Sequence, residues 1–140
     1  MRYYVDTCIW LNLFKKGGDP SKGVPYWEIA QEFLRQMLFS RHQIVYSGVV
    51  LRELQIKLAE NYQKARLYIE GLRLMKIDMT DDDKIMARGL ESQYGFEISF
   101  YDLMHITLCK RHNCILITRD KQMTEIAREN GVLVCKPEES

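Results

Sequence analysis

The sequence predicts an α/β fold, a single three-layer domain with a central, mostly parallel sheet covered by helices on both faces. Three observations carry that expectation. Short apolar runs of strand length alternate with longer amphipathic stretches along the whole chain. The runs are apolar at consecutive positions, as in strands buried on both faces. Acidic residues stand at or just after the ends of these runs, the edge at which open α/β sheets collect ligands. A chain of 140 residues can bury about one sizeable core, so residues 1–140 are expected to form one domain.

The elements follow in order. RYYVD at 2–6 reads as the first strand, with Tyr3, Tyr4 and Val5 in succession, and TCIWLNLF as a short helix after it. KKGGDPSKGVPY gathers Gly17, Gly18, Pro20, Gly23 and Pro25, the chemistry of a loop, and is expected to be the most mobile segment. From Trp27 to about Ser40, apolar residues including Ile29, Phe33, Leu34 and Met37 recur at helical spacing. QIVYS is a second strand, and VVLRELQIKLAE a helix after Ser47, joined near Asn61 to YQKARLYIEGLRLM. MKIDM is a third strand, closed by Thr80 as the cap of DDDKIMARGLESQYG. Ser99 opens the helix FYDLMHITLCKRH, CILIT is the strongest strand, a helix runs from about Lys121 to Glu129, and VLVC supplies the last strand after Gly131. No internal repeat or low-complexity tract interrupts this order.

Composition narrows the function classes. Hydrophobic residues make up 46% and charged residues 28%, as in an ordinary globular protein, and the longest apolar runs fall well short of a membrane span. Asp6 interrupts the N-terminal apolar stretch, which argues against a secretory or transit segment and makes the cytoplasm the expected location. Cys8, Cys109, Cys114 and Cys135 form no C-x-x-C pair and read as reduced core thiols. A formal net charge of +1 argues against binding nucleic acid by bulk electrostatics, though not against an acidic pocket with a basic rim.

The acidic residues are Asp6, Glu53, Asp102 and Asp120. Each alone has a structural explanation. Asp6 and Asp120 fit helix N-caps, Asp102 fits the reciprocal partner of Ser99 in a capping box, and Glu53 fits a solvated helix face. Together they fit those explanations less well, because a cap needs no particular place in the topology whereas these residues all fall at or after strand ends. Two carboxylates about 4 Å apart repel by roughly 4 kcal/mol at an effective dielectric of 20. Charge so gathered calls for a cation, and oxygen-only ligands favour Mg²⁺ or Mn²⁺ over zinc or copper. Phosphodiester hydrolysis is the chemistry this implies.

The motifs YVDTCIW, an apolar helix carrying REL, SFYDLMHITLCKRH, and ILITRD before a helix resemble those of PIN-domain ribonucleases, a family that includes the VapC toxins of toxin–antitoxin pairs, and they span nearly the whole chain in the family's order. The resemblance implies a parallel sheet, an acidic quartet of Asp6, Glu53, Asp102 and Asp120 binding Mg²⁺ or Mn²⁺, Thr118 as the hydroxyl near the metal, and an RNA substrate. Thr7 is a weaker neighbour of the site. It further implies a small antitoxin partner and a homodimer. Lys15, Lys16, Arg119 and Lys121 are candidates for holding the RNA backbone. After T-R-D this chain has Lys121, Gln122 and Met123, where many members carry an acidic or amide residue and then phenylalanine, which leaves open whether one metal or two bind.

Other readings start from the same residues. A PIN nuclease of RNA processing, or a PIN protein that binds RNA without turnover, shares the motifs. A phospho-receiver would use Asp78 as acceptor, Thr118 as switch hydroxyl and Lys136 as the terminal lysine, but would leave Glu53, Asp102 and Asp120 unexplained. A zinc site would draw on His105, Cys109, His112 and Cys114, although structural zinc usually takes paired ligands from turns. His105 alone, one turn after Asp102, reads as a packing or hydrogen-bonding residue.

Overall fold

The opening apolar run becomes the middle strand of the sheet. A computed structural model of the chain describes residues 1–18, 21 and 23–140. Strand β1 (Arg2–Val5) leads into helix α1 (Thr7–Lys15), which packs on α2 (Tyr26–Leu38). Strand β2 (Gln43–Ser47) is followed by α3 (Gly48–Leu58), a 3₁₀ turn over Ala59–Asn61, and α4 (Tyr62–Gly71). Then come β3 (Met75–Ile77), α5 (Asp81–Gln93), α6 (Phe100–His112), β4 (Ile115–Ile117), α7 (Lys121–Glu129) and β5 (Val134–Cys135).

All pairings are parallel and the strand order is β3-β2-β1-β4-β5. The chain therefore moves outward from β1 to β3, crosses back over the sheet, and moves outward again from β4 to β5. Right-handed crossovers put the helices of the first half on one face and those of the second half on the other. The direction reverses between β1 and β4, so their carboxyl ends open on a crevice that no crossover fills. Register fixes which residues meet there: Tyr4 lies beside Val45 and Leu116, Val5 beside Ile117, and the Asp6 amide donates to the Ile117 carbonyl at 2.9 Å.

Helix α6 is buried on nearly every side. Leu103 through Cys109 are all buried, because α6 also packs against α3 and α5. One arginine joins the last two helices of the crossover: Arg111 on α6 donates to both oxygens of the buried Asp83 on α5, and to the Asp78 carbonyl. Asp83 is also the reciprocal partner of Thr80 in a complete capping box.

Several expected elements are shorter than their apolar patterns. CILIT pairs as a strand only over Ile115–Ile117, and MKIDM only over Met75–Ile77. The helix expected through Leu72, Arg73, Leu74 and Met75 stops at Gly71, where Arg73 takes a left-handed φ of 56°. The glycine-rich segment is a turn where it is described. Lys16 ends α1 in left-handed backbone, and a Cβ on Gly18 would stand 2.6 Å from the Val24 carbonyl oxygen, which only glycine tolerates. Pro20 and Lys22, expected in the same loop, lie outside the described residues. Among the described residues no helix is long and apolar enough to cross a membrane. The cysteines are all free thiols.

Candidate active site

Asp6 directly follows β1, the central strand, and is only 4% exposed. It occupies the N-cap position of α1, yet its carboxylate makes no capping bond. Oδ2 instead accepts from the buried Thr118 hydroxyl at 2.7 Å, across the gap between β1 and β4. That hydroxyl also accepts from the Asp120 amide at 3.1 Å, so Thr118 fastens Asp6 to the start of α7.

Glu53 reaches the same place from the second turn of α3. Its Oε1 accepts from the Thr7 hydroxyl at 2.8 Å and from His105 Nε2 on α6 at 2.5 Å. A carboxylate only accepts, so Nε2 carries a proton, and Nδ1 pairs with the Tyr4 hydroxyl at 2.6 Å. Tyr4 in turn lies 2.7 Å from Ser47 Oγ at the end of β2. Tyr4 and Asp6 alternate along β1 onto the same side, which puts the phenol and the carboxylate on neighbouring sides of one imidazole. His105 Nε2 also stands 3.9 Å from Asp6 Oδ1. A chain of hydrogen bonds thus runs Ser47, Tyr4, His105, Glu53, Thr7, with every ring in it buried.

Asp102 comes from the first turn of α6. Ser99 caps that helix by accepting from the Asp102 amide at 3.1 Å, but the reciprocal half of the expected capping box is not formed. The carboxylate faces a cavity of about 470 Å³ that it shares with Asp6, Thr7, Glu53 and Asp120. Asp120 is different. It lies exposed at the rim, and its Oδ1 accepts from the Met123 amide at 3.0 Å, a working N-cap for α7.

The electrostatics follow from this crowding. Burial, and then the charge of Asp6, with smaller contributions from Glu53 and Asp120, push the Asp102 carboxyl up to about 6, against the opposing pull of His105. Burial would lower the His105 imidazole, but the Glu53 hydrogen bond and the charges of Asp6, Glu53 and Asp102 outweigh it and raise its pKa. Burial would raise Glu53, but the His105 hydrogen bond and charge, and then the Thr7 hydrogen bond, bring it below its ordinary value. Burial holds Tyr4 as a neutral phenol.

An all-oxygen set of carboxylates and hydroxyls around one cavity has the donor chemistry of a hard divalent cation. Among the described residues no three acidic, histidine or cysteine side chains yet converge on one point as a closed shell. The carboxylates line the walls of the cavity and would turn inward to share an ion.

The remaining residues singled out in the sequence lie elsewhere. Arg119 is bound by Glu138 at 2.8 and 2.9 Å and stacks on Tyr26, 4.2 Å from the ring centre, fastening the C-terminal turn to α2. Lys121 is exposed at the start of α7, next to Asp120. Lys15 and Lys16 are exposed at the end of α1, where they line a neighbouring groove rather than the acidic cavity. Asp78 follows β3, the edge strand, two strands from Asp6, so a receiver's acidic cluster cannot form around it. His105, which would begin a zinc site, is engaged by Tyr4 and Glu53, and Cys109 is enclosed in the core.

Sequence reasoning passed over Tyr4 and Ser47 as parts of the site, and took His105 as a packing or hydrogen-bonding residue without naming its partners. The one available signal was a histidine amid an apolar helix, a turn beyond Asp102.

The sequence matches the PIN domain family over residues 3–129. No curated protein matches it. Among solved structures, the fold is similar to that of a chain in VapBC2 from Rickettsia felis bound to a fragment of promoter DNA, at a TM-score of 0.71 and 22% identity over 97% of this chain and 98% of that one. It is similar to a chain of VapBC-1 from nontypeable Haemophilus influenzae, at 0.69 and 21% over 99% of both chains. A toxin–antitoxin complex from Klebsiella pneumoniae gives 0.66 and 20%, over 96% of this chain and 97% of that one.

Proposed function

The chain belongs to the PIN domain family, and from that premise we propose that it is a divalent-metal-dependent endoribonuclease of the cytoplasm, the toxin of a toxin–antitoxin pair. The observation that carries this reading is the junction of Asp6, Glu53, Asp102 and Asp120 around one cavity at the sheet's switch point. PIN-domain nucleases in general use divalent metal ions, and the oxygen donors here suit Mg²⁺ or Mn²⁺. Asp6 and Asp102 are the residues that would hold the ion, with Glu53 and Asp120 holding a second ion or ordered water.

When bound, such an ion supplies Lewis-acid polarisation of a phosphoryl oxygen and eases deprotonation of the attacking water. The chain's own residues do the positioning. Thr118 fixes one oxygen of Asp6, leaving the other for the cavity. The Nε2 proton of His105 and the Thr7 hydroxyl together fix one oxygen of Glu53. Burial and then the charge of Asp6 raise the Asp102 carboxyl, and a bound cation would offset the charge part of that cost.

Toxin–antitoxin complexes among the structural neighbours support an antitoxin partner for this chain. An antitoxin that inserts arginine or lysine among Asp6, Glu53 and Asp102 would satisfy the same charges as the metal. A homodimer is supported by apolar residues left in solvent along α5 and beyond it, Ile85 at 70%, Met86 at 58% and Phe96 at 68% exposed.

The test is digestion of a total RNA pool by purified protein with Mn²⁺, with excess EDTA, and with Asp6→Asn. Cleavage is expected only by the wild type with metal. Cleavage undiminished in EDTA would refute the metal mechanism, and no cleavage in Mn²⁺ would refute the nuclease reading. A neighbouring reading frame encoding a small DNA-binding protein would identify the antitoxin.

A further inference from the structure

A second and larger concavity lies beside the acidic cavity. It is a groove of about 880 Å³ walled by the end of α1, by α2, by the end of α3 and by α4. Four lysines line it, Lys15, Lys16, Lys57 and Lys64, all exposed, with no carboxylate among the lining residues. None of them is held in an ion pair among the described residues. Aromatic faces alternate with the cations: Trp27 carries the Lys16 ammonium 5.4 Å from its ring centre, and Tyr68, 43% exposed, packs edge-on against Phe14 at 5.6 Å.

The groove adjoins the acidic cavity: Lys57 lines both, and its charge is felt by the Glu53 carboxyl.

We propose that this groove is a single-strand track, in which an RNA segment flanking the scissile phosphate lays its backbone along the lysines and stacks unpaired bases on Trp27 and Tyr68. The proposal rests on the nuclease reading for the identity of the strand, but the groove's chemistry argues for it independently. A polyanion gains nothing from a chain whose net charge is +1 unless the cations are concentrated where it lies. The acidic cavity repels phosphate until an ion is bound, so the affinity for substrate has to come from beside it.

Lysine ammoniums beside aromatic rings that reach the surface, half-buried Trp27 and exposed Tyr68, form the combination that holds single strands: cations follow the phosphates, and any base offers a π-face. A duplex keeps its bases stacked inward and would leave Trp27 and Tyr68 uncovered.

The experiment reads binding without cleavage. A fluorescent 2′-O-methyl oligoribonucleotide of about ten nucleotides is titrated by anisotropy in EDTA, alone and annealed to its complement, against the wild type, Lys15→Ala/Lys64→Ala, Lys64→Arg, Trp27→Ala and Trp27→Phe. Trp10 is fully buried, so quenching of tryptophan emission on binding reports Trp27. Single strand is expected to bind more tightly than duplex and to quench the emission. The double lysine variant should lower the slope of log affinity against log salt by about 1.4, two phosphate contacts at about 0.7 each for a single strand. Trp27→Ala should weaken binding roughly tenfold, while Trp27→Phe and Lys64→Arg retain most of it, which separates loss of contact from loss of fold.

Unchanged affinity and slope in the double lysine and Trp27→Ala variants would overturn the track. So would duplex binding as tight as single strand with no quenching, which marks a merely basic surface. If those variants leave the oligonucleotide unaffected but abolish binding of a glutamate-rich peptide, the groove is a protein site and the proposal is wrong. Since binding is read in EDTA, failure to cleave RNA in Mn²⁺ counts against the nuclease reading and leaves the track standing.

Discussion

Asp102 is the residue whose replacement best separates site from scaffold. Its carboxylate accepts no hydrogen bond among the described residues, and its pKa is raised to about 6 by burial and by Asp6. A carboxyl raised on folding contributes stability that is fully present below its unfolded value near 4 and is lost as pH rises through about 6. Asp102→Asn removes that loss, and its backbone amide can still donate to Ser99. Without metal, the melting temperature of the variant relative to wild type should therefore climb between pH 4 and pH 7, to an advantage on the order of 1–2 kcal/mol after solvent screening. The variant should also lose the upward shift that Mn²⁺ gives the wild type. A variant that melts several degrees lower at pH 7 and still cleaves RNA would make Asp102 structural. Tyr4 behaves in the opposite way. Tyr4→Phe leaves Ser47 Oγ and His105 Nδ1 buried without their partner, which should cost about 1–3 kcal/mol in urea denaturation. An unchanged denaturation midpoint would show that the buried chain of hydrogen bonds carries no stability.

Among the elements, α7 holds the ambiguity that matters most. Asp120 caps it and also borders the acidic cavity, so its two roles need different substitutions. Asparagine caps as well as aspartate, whereas alanine loses about 1 kcal/mol. Asp120→Asn is expected to melt with the wild type in EDTA and to show a smaller Mn²⁺ shift, while Asp120→Ala melts lower in EDTA as well. A full Mn²⁺ shift in Asp120→Asn would reduce Asp120 to a cap. Helix α6 shows why helical periodicity has limits. It is apolar around most of its circumference because three elements pack on it, so no single face could be read as the one that turns toward the sheet. Its start was legible from Ser99, since a serine before an apolar run is a local signal. Whether Asp102 completed that cap was a matter of which way its carboxylate turned, and it turned to the cavity.

At the scale of the whole molecule, the chain is expected to unfold as one cooperative unit. Its buried apolar residues form a single cluster running from Tyr3 to Val132. Coincident transitions by far-UV and near-UV circular dichroism would support one domain over residues 1–140, and separated transitions would refute it. A cation that binds only the folded state stabilises it by about 2.7 kcal/mol at a hundred times its dissociation constant. Saturating antitoxin should abolish that Mn²⁺ increment if both occupy the acidic cavity. Should Mn²⁺ affinity stay unchanged in the complex, the two sites are separate.

The sequence by itself determined the order and type of the elements, the parallel α/β class, and the candidacy of Asp6, Glu53, Asp102 and Asp120, because periodicity, caps and strand ends are written within a few neighbouring residues. It did not determine where the strands stop, since pairing depends on the register of a neighbour. Nor could it distinguish Asp120, whose oxygen caps a helix, from Asp6, whose oxygens do not. His105 read as a packing or hydrogen-bonding residue, but which groups it bonds could not be read, because Tyr4 and Glu53 lie 101 and 52 positions away. The lysines of the groove were scattered over α1, α3 and α4, and only packing set them around Trp27 and Tyr68. Hydrogen-bond partners and the field at a carboxylate depend on distances of a few ångströms between remote segments, and those distances exist only once the tertiary structure has formed.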